Sequence, residues 1–292
     1  PKDVPRFPSR KRAARKRMQK LQRMTASERA RQQVRTYKQL LAITQEVLAN
    51  ARRTLEATAR SRGKTLTDTL TIEGLRKDLT DYCPLGDRVV DQARRRVLDG
   101  AQVPASEKLY SIFEPHTDLI KRGKINKPIE FGHKLFLAES AQGLVTQYRV
   151  LDGNPSDEDH VESSLKAHRK TFGCAPEVFA TDRGFDSTDN QKTCRKAHIA
   201  CISIPQRGGK KTAKRQAFEK RPDFKKAQRF RAGIEGRISV LFRGRGMKRC
   251  LARGKERFRV FVGVAILTNN LMKIAELLIQ RENKKKPRSR AA

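Results

Sequence analysis

The apolar residues of this chain change their spacing at Pro104, and that change does most to limit the possible folds. Before Pro104 they recur about every 3.6 residues, which is the period of a helix with one apolar face. After it they alternate with a period of about 2, as in a half-buried strand. We therefore expect an all-helical segment at residues 1–103 and an α/β domain at residues 104–280. Residues 281–292 are rich in Lys and Arg and are predicted to be a disordered basic tail.

Four helices are predicted in the first segment. The first starts at about Arg10, and a second begins at a capping box, Thr25–Glu28, and runs to about Arg62. A third helix is expected at residues 71–79, and a fourth follows Pro84 and ends at Gly100. The basic residues lie mostly off the apolar stripes, either as a solvated helical face or, as the charge density favours, as a phosphate-contacting surface.

Strands and helices alternate in the second segment. Strands are expected at residues 109–113, 129–137 and 144–151, and Gly143 forms the turn of a hairpin between the last two. A helix at residues 160–170, a strand at 177–181, a helix at 187–197 and a strand at 199–204 follow. This order predicts an α/β fold with a mixed sheet flanked by helices.

The remaining residues of the second segment are predicted to form a loop and two long helices. Residues 206–220 are rich in Gly, Lys and Arg, and we expect a mobile loop there. A long helix starts at about Pro222, and a final helix covers residues 258–279. Polar residues interrupt this last apolar stretch, so it indicates a buried amphipathic helix, and no membrane partner is expected.

The net charge of +35 indicates the kind of partner. Such an excess favours a polyanion, such as nucleic acid. The plainer alternative is a ribosomal or simply basic soluble protein, but several separate basic clusters argue against mere tuning of solubility. The five cysteines contain no C-x-x-C pair, and we expect reduced, mostly buried thiols in a cytosolic protein without a zinc site.

A carboxylate, Asp182, follows the short apolar run of residues 178–180. Pro176 and Gly184 bound this run, which reads as a short buried strand. A carboxylate at the end of a buried strand is usually directed at a site, because burial of an unpaired charge is costly. From the local sequence alone, a helix cap or a pair with Arg183 is equally good.

A second candidate carboxylate lies on the helix after Pro222. Arg231 and Glu235 are four residues apart and therefore share one face of this helix. They could be an ordinary surface ion pair. Alternatively, Glu235 faces Asp182 across a site for a hard cation such as Mg²⁺, which prefers oxygen ligands. Two such ions can bind the attacking and leaving oxygens of a phosphoryl transfer.

The stretches at residues 180–185 and 230–238 resemble the catalytic half of DDE transposases of bacterial insertion sequences. The stretches at residues 110–118, 131–134 and 153–155 are similar to a subgroup with a helical insertion. The resemblance covers residues from about 70 to 280. It implies an RNase H-like fold, with residues 1–103 as the basic helical insertion, and a catalytic Asp-Asp-Glu triad that binds two Mg²⁺ or Mn²⁺ ions.

Two triad residues can be placed by this resemblance. Asp182 matches the second Asp and Glu235 the Glu, so both are expected catalytic metal ligands, and Arg231 matches the Arg of the Y-x2-R-x3-E-x6-K signature. The chain departs from that signature at Gln228, where Tyr is expected, and at Phe242, where Lys is expected, with Arg243 one step later. Arg231, Arg243, Lys248 and Arg249 are the candidate DNA phosphate contacts.

The first Asp of the triad has no clear match in the chain. In similar proteins it lies on a strand before the helical insertion, and residues 1–30 contain no strand pattern. We expect that strand upstream of Pro1, so the chain alone is predicted to be inactive. Glu114 or Asp118 is a less favoured substitute, since Pro115 breaks the strand there. The five histidines form no cluster; His133 is expected on a sheet face and the others on the surface.

The resemblance implies a transposase that cleaves a strand at the transposon end and joins it to target DNA. Its partners would be transposon ends and target DNA, with a homo-oligomer assembled on DNA in the bacterial cytoplasm, associated with the nucleoid. A catalytically dead DNA-binding remnant and a two-metal nuclease without strand transfer are the competing functions. The separation of Asp182 and Glu235 distinguishes an enzyme from a remnant.

Overall fold

A computed structural model describes residues 8–124 and 127–285 of the chain. The chain divides into two compact units, with the division between Thr117 and Asp118. The predicted extended start before Arg10 lies largely outside the described residues, as does the predicted tail from residue 286 onward. Residues 281–285, which were also expected to be disordered, are instead the end of the last helix.

The described part of the first unit contains three helices: α1 (Lys11–Arg23), α2 (Ala26–Ala57) and α3 (Leu66–Val97). The capping box predicted at Thr25 is present, since Thr25 Oγ1 accepts from the Glu28 N–H at 3.3 Å and Glu28 Oε2 accepts from the Thr25 N–H at 2.9 Å. A second capping box, with Thr65 and Asp68, starts α3. Local sequence signals therefore determine where both long helices begin.

The prediction of separate third and fourth helices was wrong, because α3 continues through Pro84. A proline in a helix interior costs about 3 kcal/mol through a lost hydrogen bond and a clash. Packing offsets that cost: Cys83 and Val90 of α3 form a buried cluster with Leu48 and Ala51 of α2.

The strand predicted at residues 109–113 is also absent, although Leu109 is buried. Its backbone is hydrogen-bonded by a side chain rather than by a neighbouring strand. Gln92 of α3 accepts from the Leu109 N–H at 2.8 Å and donates to its carbonyl at 2.9 Å. Arg88 donates two hydrogen bonds to the Glu107 carbonyl, from Nε at 3.0 Å and from Nη2 at 2.7 Å. Side chains of α3 therefore supply the hydrogen-bond partners for the backbone of this extended segment, which runs along the helix.

The second unit has three two-stranded sheets among its described residues, not the single mixed sheet that was predicted. Strands β1 (Asp118–Lys124) and β2 (Lys127–Gly132) pair antiparallel, as do β3 (Leu135–Glu139) and β4 (Val145–Val150). Strands β5 (Val178–Ala180) and β6 (Cys201–Ser203) pair parallel. Helices and strands do alternate, so the α/β class is confirmed, but an RNase H-like sheet is not formed by the described strands.

The predicted hairpin is confirmed as β3–β4, with Gly143 in its turn at a φ of +82°. The single strand expected at residues 129–137 is instead divided between β2 and β3. At the break, His133 Nδ1 lies 3.0 Å from Asp118 Oδ2, and Lys134 Nζ donates to the Pro155 carbonyl at 2.7 Å. These side-chain contacts turn the chain between the two hairpins.

The helices of the second unit are α4 (Val161–Phe172), α5 (Thr188–Lys196), α6 (Ala213–Lys220), α7 (Pro222–Gly244) and α8 (Lys255–Lys285). Helix α6 corrects the prediction of a loop at residues 206–220. It forms because Thr212 caps it and Glu219 bonds Lys211, Arg215 and the Gln206 N–H. Glu219, the single acid in residues 206–220, therefore holds this basic stretch together through its hydrogen bonds.

Helix α8 packs one face against the β3–β4 hairpin. Val262 and Ile266 share a core with Val145 and with Leu241 of α7. Asn270 also bonds both backbone groups of Val145, at 2.9 and 2.8 Å. Among the described helices, residues 255–284 have the length and hydropathy of a possible membrane span, which by itself is weak evidence for one. Only about a fifth of the most apolar stretch is buried inside the protein, so the helix predicted there to be buried is buried on one side only. A second core lies between β5–β6 and α4–α5 and includes Val161, Cys194 and Ile204.

Candidate active site

Asp182 lies at the end of β5, where the chain leaves the small parallel sheet. The Thr181 N–H donates to the Ser203 carbonyl at 3.1 Å, which extends the pairing of β5 and β6 to this point. Asp182 then caps a short 3-10 turn at Arg183–Phe185: its Oδ1 accepts from the Gly184 N–H at 2.8 Å. One carboxylate oxygen is thereby fixed, and the other, Oδ2, is directed away from the turn. The side chain is 40% exposed, which leaves it accessible to a ligand.

Helix α7 brings the second carboxylate to Asp182. Arg231 Nη2 lies 3.1 Å from Asp182 Oδ2 and 3.8 Å from Glu235 Oε1. The same nitrogen therefore contacts both acids, which come from positions 53 residues apart. Glu235 is 70% exposed, whereas Arg231 is 26% exposed and partly enclosed by its two partners. Asp182 pairs with Arg231 of α7. It caps only the short 3-10 turn, since the following helix, α5, is capped by Ser187.

Gln228 attaches α7 to the two strands one turn before Arg231. Its Nε2 lies within donor distance of three acceptors: the Thr181 carbonyl at 3.1 Å, the Ser203 carbonyl at 2.7 Å and Ser203 Oγ at 2.9 Å. This residue stands where the family signature has Tyr. Its amide reaches the backbone at the ends of β5 and β6, so it fixes the distance of the helix from Asp182.

A third carboxylate, Asp157, lies beside Asp182 and was not singled out in the sequence. A Cβ added to Gly184 would lie 2.8 Å from Asp157 Oδ2 and 3.0 Å from Asp182 Oδ1. The missing side chain of Gly184 therefore lets the two acids approach the same small space. Lys134 holds Asp157, with its Nζ 2.9 Å from Asp157 Oδ1. The only sequence signal was the nearby motif at residues 153–155.

The remaining predicted DNA contacts lie apart from the two carboxylates. Arg243 is exposed near the end of α7, about 18 Å along the helix from Arg231 at 1.5 Å per residue. Lys248 and Arg249 are exposed in the turn that follows. Within the described ranges, no contact joins these three residues to Asp182 or Glu235.

The histidine predictions are partly corrected. His160 was expected on the surface but is only 9% exposed, and its Nε2 is buried without a hydrogen-bond partner among the described residues. Burial and the nearby Arg149 lower the pKa of His160, which favours its neutral form. His160 lies against Phe136 of β3, with ring centroids 5.7 Å apart. It is a core residue of this unit.

The carboxylates of Asp182 and Glu235 are suitable ligands for a hard divalent cation, but they are only two. Asp182 and Glu235 supply carboxylate oxygens, the ligands that Mg²⁺ prefers, and their exposure leaves room for water and phosphate oxygens. Arg231 already supplies a positive charge between them. Among the described residues, no group of three His, Cys, Asp or Glu side chains has the arrangement of a metal site. The pair could hold an ion only together with other oxygen ligands.

The site thus combines Asp182, at the end of a strand, with Arg231 and Glu235 of a long helix. Comparison with known protein families shows the family to which the chain belongs. The family described as "Transposase DDE domain" matches residues 92–271, which is more than half of the chain, and the chain belongs to that family. Its members are transposases, which cut and join DNA by phosphoryl transfer. No match was found among curated proteins or among solved structures.

Proposed function

We propose that this chain carries the catalytic site of an insertion-sequence transposase that cleaves DNA at the transposon end and joins it to target DNA. The observation that supports the proposal best is the meeting of Asp182 and Glu235 at one guanidinium, that of Arg231. Two acids from distant parts of the sequence are brought together by a parallel strand pair and a helix. An exposed ion pair stabilises a fold by at most about 1 kcal/mol, so stability alone is a weak reason for this arrangement.

In this proposal each residue of the site has a separate role. Asp182 and Glu235 hold the divalent ions, Mg²⁺ or Mn²⁺. These ions, when bound, supply Lewis-acid activation of the attacking oxygen and neutralise charge on the phosphate. Arg231, which lies against both acids, would contact the phosphate bound beside the ions. Gln228 keeps α7 at its distance from β5.

A third carboxylate completes the triad. Among the described residues, the candidate for this position is Asp157, whose carboxylate lies beside that of Asp182 at Gly184. The protein would act as a homo-oligomer on DNA, in the bacterial cytoplasm and associated with the nucleoid.

The test measures the metal site itself, so that it does not depend on turnover. Fe²⁺ takes the place of Mg²⁺, and peroxide with ascorbate then cleaves the polypeptide next to the bound ion. We expect backbone cleavage near residues 181–185 and 231–235 that excess Mg²⁺ suppresses. Asp182→Asn and Glu235→Gln should each reduce this cleavage at least ~10-fold, the effect expected for a lost metal contact.

Asp189→Asn is the matched control, because Asp189 is 89% exposed on α5 and pairs with Lys192. It should leave the cleavage unchanged. Equal cleavage in Asp182→Asn and the native chain would contradict the proposal. An assay with labelled transposon ends would separate a transposase from a nuclease, because only the transposase produces joined products.

The competing function is that of a DNA-binding remnant without catalysis. One observation favours it: Arg231 already neutralises both acids, and a cation must displace this guanidinium. A remnant would bind DNA with the same salt dependence but show no Mg²⁺-sensitive cleavage at residues 181–185.

A further inference from the structure

Helix α7 is held by polar side-chain contacts on two opposite faces. On the first face, Gln228 reaches the backbone at the ends of β5 and β6. On the other face, Arg237 contacts Glu139 at the end of β3, with Nη2 3.1 Å and Nε 3.3 Å from Glu139 Oε1. Gln228 and Arg237 are nine residues apart. Nine residues are about two and a half helical turns, so the two side chains leave the helix on opposite sides.

Glu139, Arg237 and Asn269 form a polar trio at the edge of an apolar core. Arg237 Nη1 donates to Asn269 Oδ1 at 3.3 Å, and Asn269 is only 1% exposed. Each member of the trio continues a row of apolar residues on its own strand or helix, and these residues form or line the core that α7 and α8 share with the β3–β4 hairpin: Leu135 and Leu137, Leu241, and Val262 and Ile266. Apolar side chains at the three positions would therefore extend that core.

The trio is an unfavourable way to gain stability. The side chains of Glu139 and Arg237 are only 12% and 17% exposed, so both charges have lost most of their contact with water. Glu139 Oε2 is also buried without a hydrogen-bond partner among the described residues. Apolar side chains of similar volume often stabilise a protein as well as a buried ion pair does, or better, whereas loss of one partner alone is strongly destabilising. Stability is therefore a weak reason for charges at these positions.

What the trio adds is a defined position for α7. A guanidinium bonded to a fixed carboxylate sets both the rotation of a helix and its place along its axis, whereas aliphatic contacts can repack. Glu139 is fixed because it pairs with Val145 in the hairpin, and Asn270 of α8 bonds both backbone groups of Val145. Arg237 thus gives α7 a second attachment, about 13.5 Å along the helix from Gln228 at 1.5 Å per residue.

The part of α7 between these two attachments carries Glu235 and is weak as a helix. Gly233 and Gly236 flank Glu235, and glycine destabilises a helix interior because it loses more conformational freedom than any other residue. A Cβ at either glycine would meet nothing within 4 Å, so close packing does not require glycine there. Glu235 is itself exposed and lies 3.8 Å from Arg231. Its place beside Asp182 therefore depends on attachments at both ends of this stretch.

We propose that Glu139 and Arg237, together with Asn269, are positioning residues of the candidate active site. They fix the rotation of α7 and thereby the place of Glu235 relative to Asp182. Arg237 follows Glu235 by two residues, which is about 200° around the helix, so the trio acts through α7 and not by contact with an ion at Glu235. The inference rests on the proposed function, because it assigns a role at the site formed by Asp182 and Glu235.

The first experiment separates position from stability by replacing both charges at once. The affinity of the full chain for Mn²⁺ alone is measured from the electron paramagnetic resonance signal of the free ion, and its free energy of unfolding is measured in urea. Glu139→Leu with Arg237→Met should be at least as stable as the native chain, as expected for an ion pair replaced by apolar side chains. Its dissociation constant for Mn²⁺ should nevertheless rise at least ~10-fold, the effect of losing a residue that orients a metal ligand.

Two further variants serve as controls for this pair. Glu139→Gln keeps the length of the side chain and an acceptor for Arg237, so it should bind Mn²⁺ nearly as the native chain does. Asp189→Leu with Lys192→Met makes the same kind of change at an exposed ion pair on α5 and should leave Mn²⁺ binding unchanged. A loss of folding stability in Glu139→Leu with Arg237→Met would overturn the inference, because the trio would then serve stability.

The second experiment tests whether the effect acts through Glu235. In the native chain Glu235→Gln should raise the dissociation constant for Mn²⁺ at least ~10-fold. In the Glu139→Leu, Arg237→Met background it should add little, because Glu235 is already displaced, whereas Asp182→Asn should still weaken binding. Such non-additivity identifies residues that act on one another.

The two ways of failing are distinct. Equal effects of Glu235→Gln in both backgrounds, or native Mn²⁺ affinity in the double variant, would overturn this inference and leave the proposed function intact. Mn²⁺ binding by the native chain that neither Asp182→Asn nor Glu235→Gln weakens would instead overturn the proposed function, and with it the role of the trio.

Discussion

Gly184 controls how closely two carboxylates approach each other beside β5. An added Cβ would meet the ends of Asp157 and Asp182 at 2.8 and 3.0 Å, so Gly184→Ala must displace the Asp157 carboxylate. We expect metal-dependent backbone cleavage to fall ~10-fold, as when a neighbouring group of a metal ligand is removed. The free energy of unfolding should fall by less than ~1.5 kcal/mol, since side-chain ends can move.

Gly233→Ala provides the control for this substitution. Gly233 lies in the interior of α7, and a Cβ there would meet nothing within 4 Å. Alanine should raise the free energy of unfolding by about 0.5–1 kcal/mol, because glycine loses more conformational freedom in a helix. Thermal unfolding and the iron-cleavage assay together measure both variants. Unchanged cleavage in Gly184→Ala would show that Asp157 has no part in ion binding.

The cysteines should differ in their reaction with a thiol reagent. Cys194 is fully buried, and burial raises its pKa to about 11, whereas Cys174 is exposed. At pH 8 we expect Cys174 to be alkylated rapidly and Cys194 only after unfolding, as mass spectrometry of the peptides would show. Because its pKa is raised above the value of 9.0 for an ordinary thiol, Cys194 stabilises the fold fully below pH 9. That contribution is lost as the pH rises toward 11, and Cys194→Ala should remove this part of the alkaline destabilisation.

The contact between α2 and α3 depends on a glycine in the middle of α3. A Cβ added to Gly86 would lie 2.6 Å from Leu48 Cδ2, inside the buried cluster of the first unit. Gly86→Ala should destabilise this unit by about 1–3 kcal/mol through overpacking. Gly74→Ala, on the same helix with open space around it, should instead stabilise by about 0.5–1 kcal/mol. Urea unfolding followed by circular dichroism gives both values, and equal effects would exclude close packing at Gly86.

Elements with a local signal could be predicted from the sequence, whereas those that depend on distant residues could not. The start of α2 follows from Thr25 and Glu28, and the β3–β4 turn follows from Gly143. The continuation of α3 through Pro84 depends on packing against Leu48, which lies 36 positions earlier.

The same division holds at the candidate site. Asp182, Arg231 and Glu235 were proposed from their motifs, and the structure brings them together. Asp157 could not be recognised, because its place beside Asp182 depends on a turn at Gly184 that no periodicity encodes. Arg231 was expected either to pair with Glu235 on the helix surface or to contact phosphate, and its contact with Asp182 was not predicted. Its pairing with both acids follows from the distance at which Gln228 holds α7.

The net charge of +35 predicts that DNA binding by this chain depends strongly on salt. Each phosphate contact contributes about −0.9 to the slope of log affinity against log salt. Arg243→Ala, Lys248→Ala and Arg249→Ala should each weaken binding similarly for all sequences and reduce the slope by ~0.9. Fluorescence anisotropy between low and moderate salt measures this slope.

Lys192→Ala is the corresponding control, because Lys192 pairs with Asp189 on α5. It should leave the slope of the native chain unchanged. Binding that does not respond to salt would contradict the assignment of a polyanion as partner, whatever the activity of the carboxylate site.

The pairing of strands only with near neighbours along the chain has a consequence for protein synthesis. Strand β1 pairs with β2, β3 with β4, and β5 with β6, so each sheet is complete soon after its second strand leaves the ribosome. Contacts between residues close in sequence form early and fast. Helix α7 follows β6 in the sequence, so Arg231 and Glu235 can reach Asp182 only after all three strand pairs have emerged. The second unit can therefore pair these strands during translation, before its candidate active site is complete.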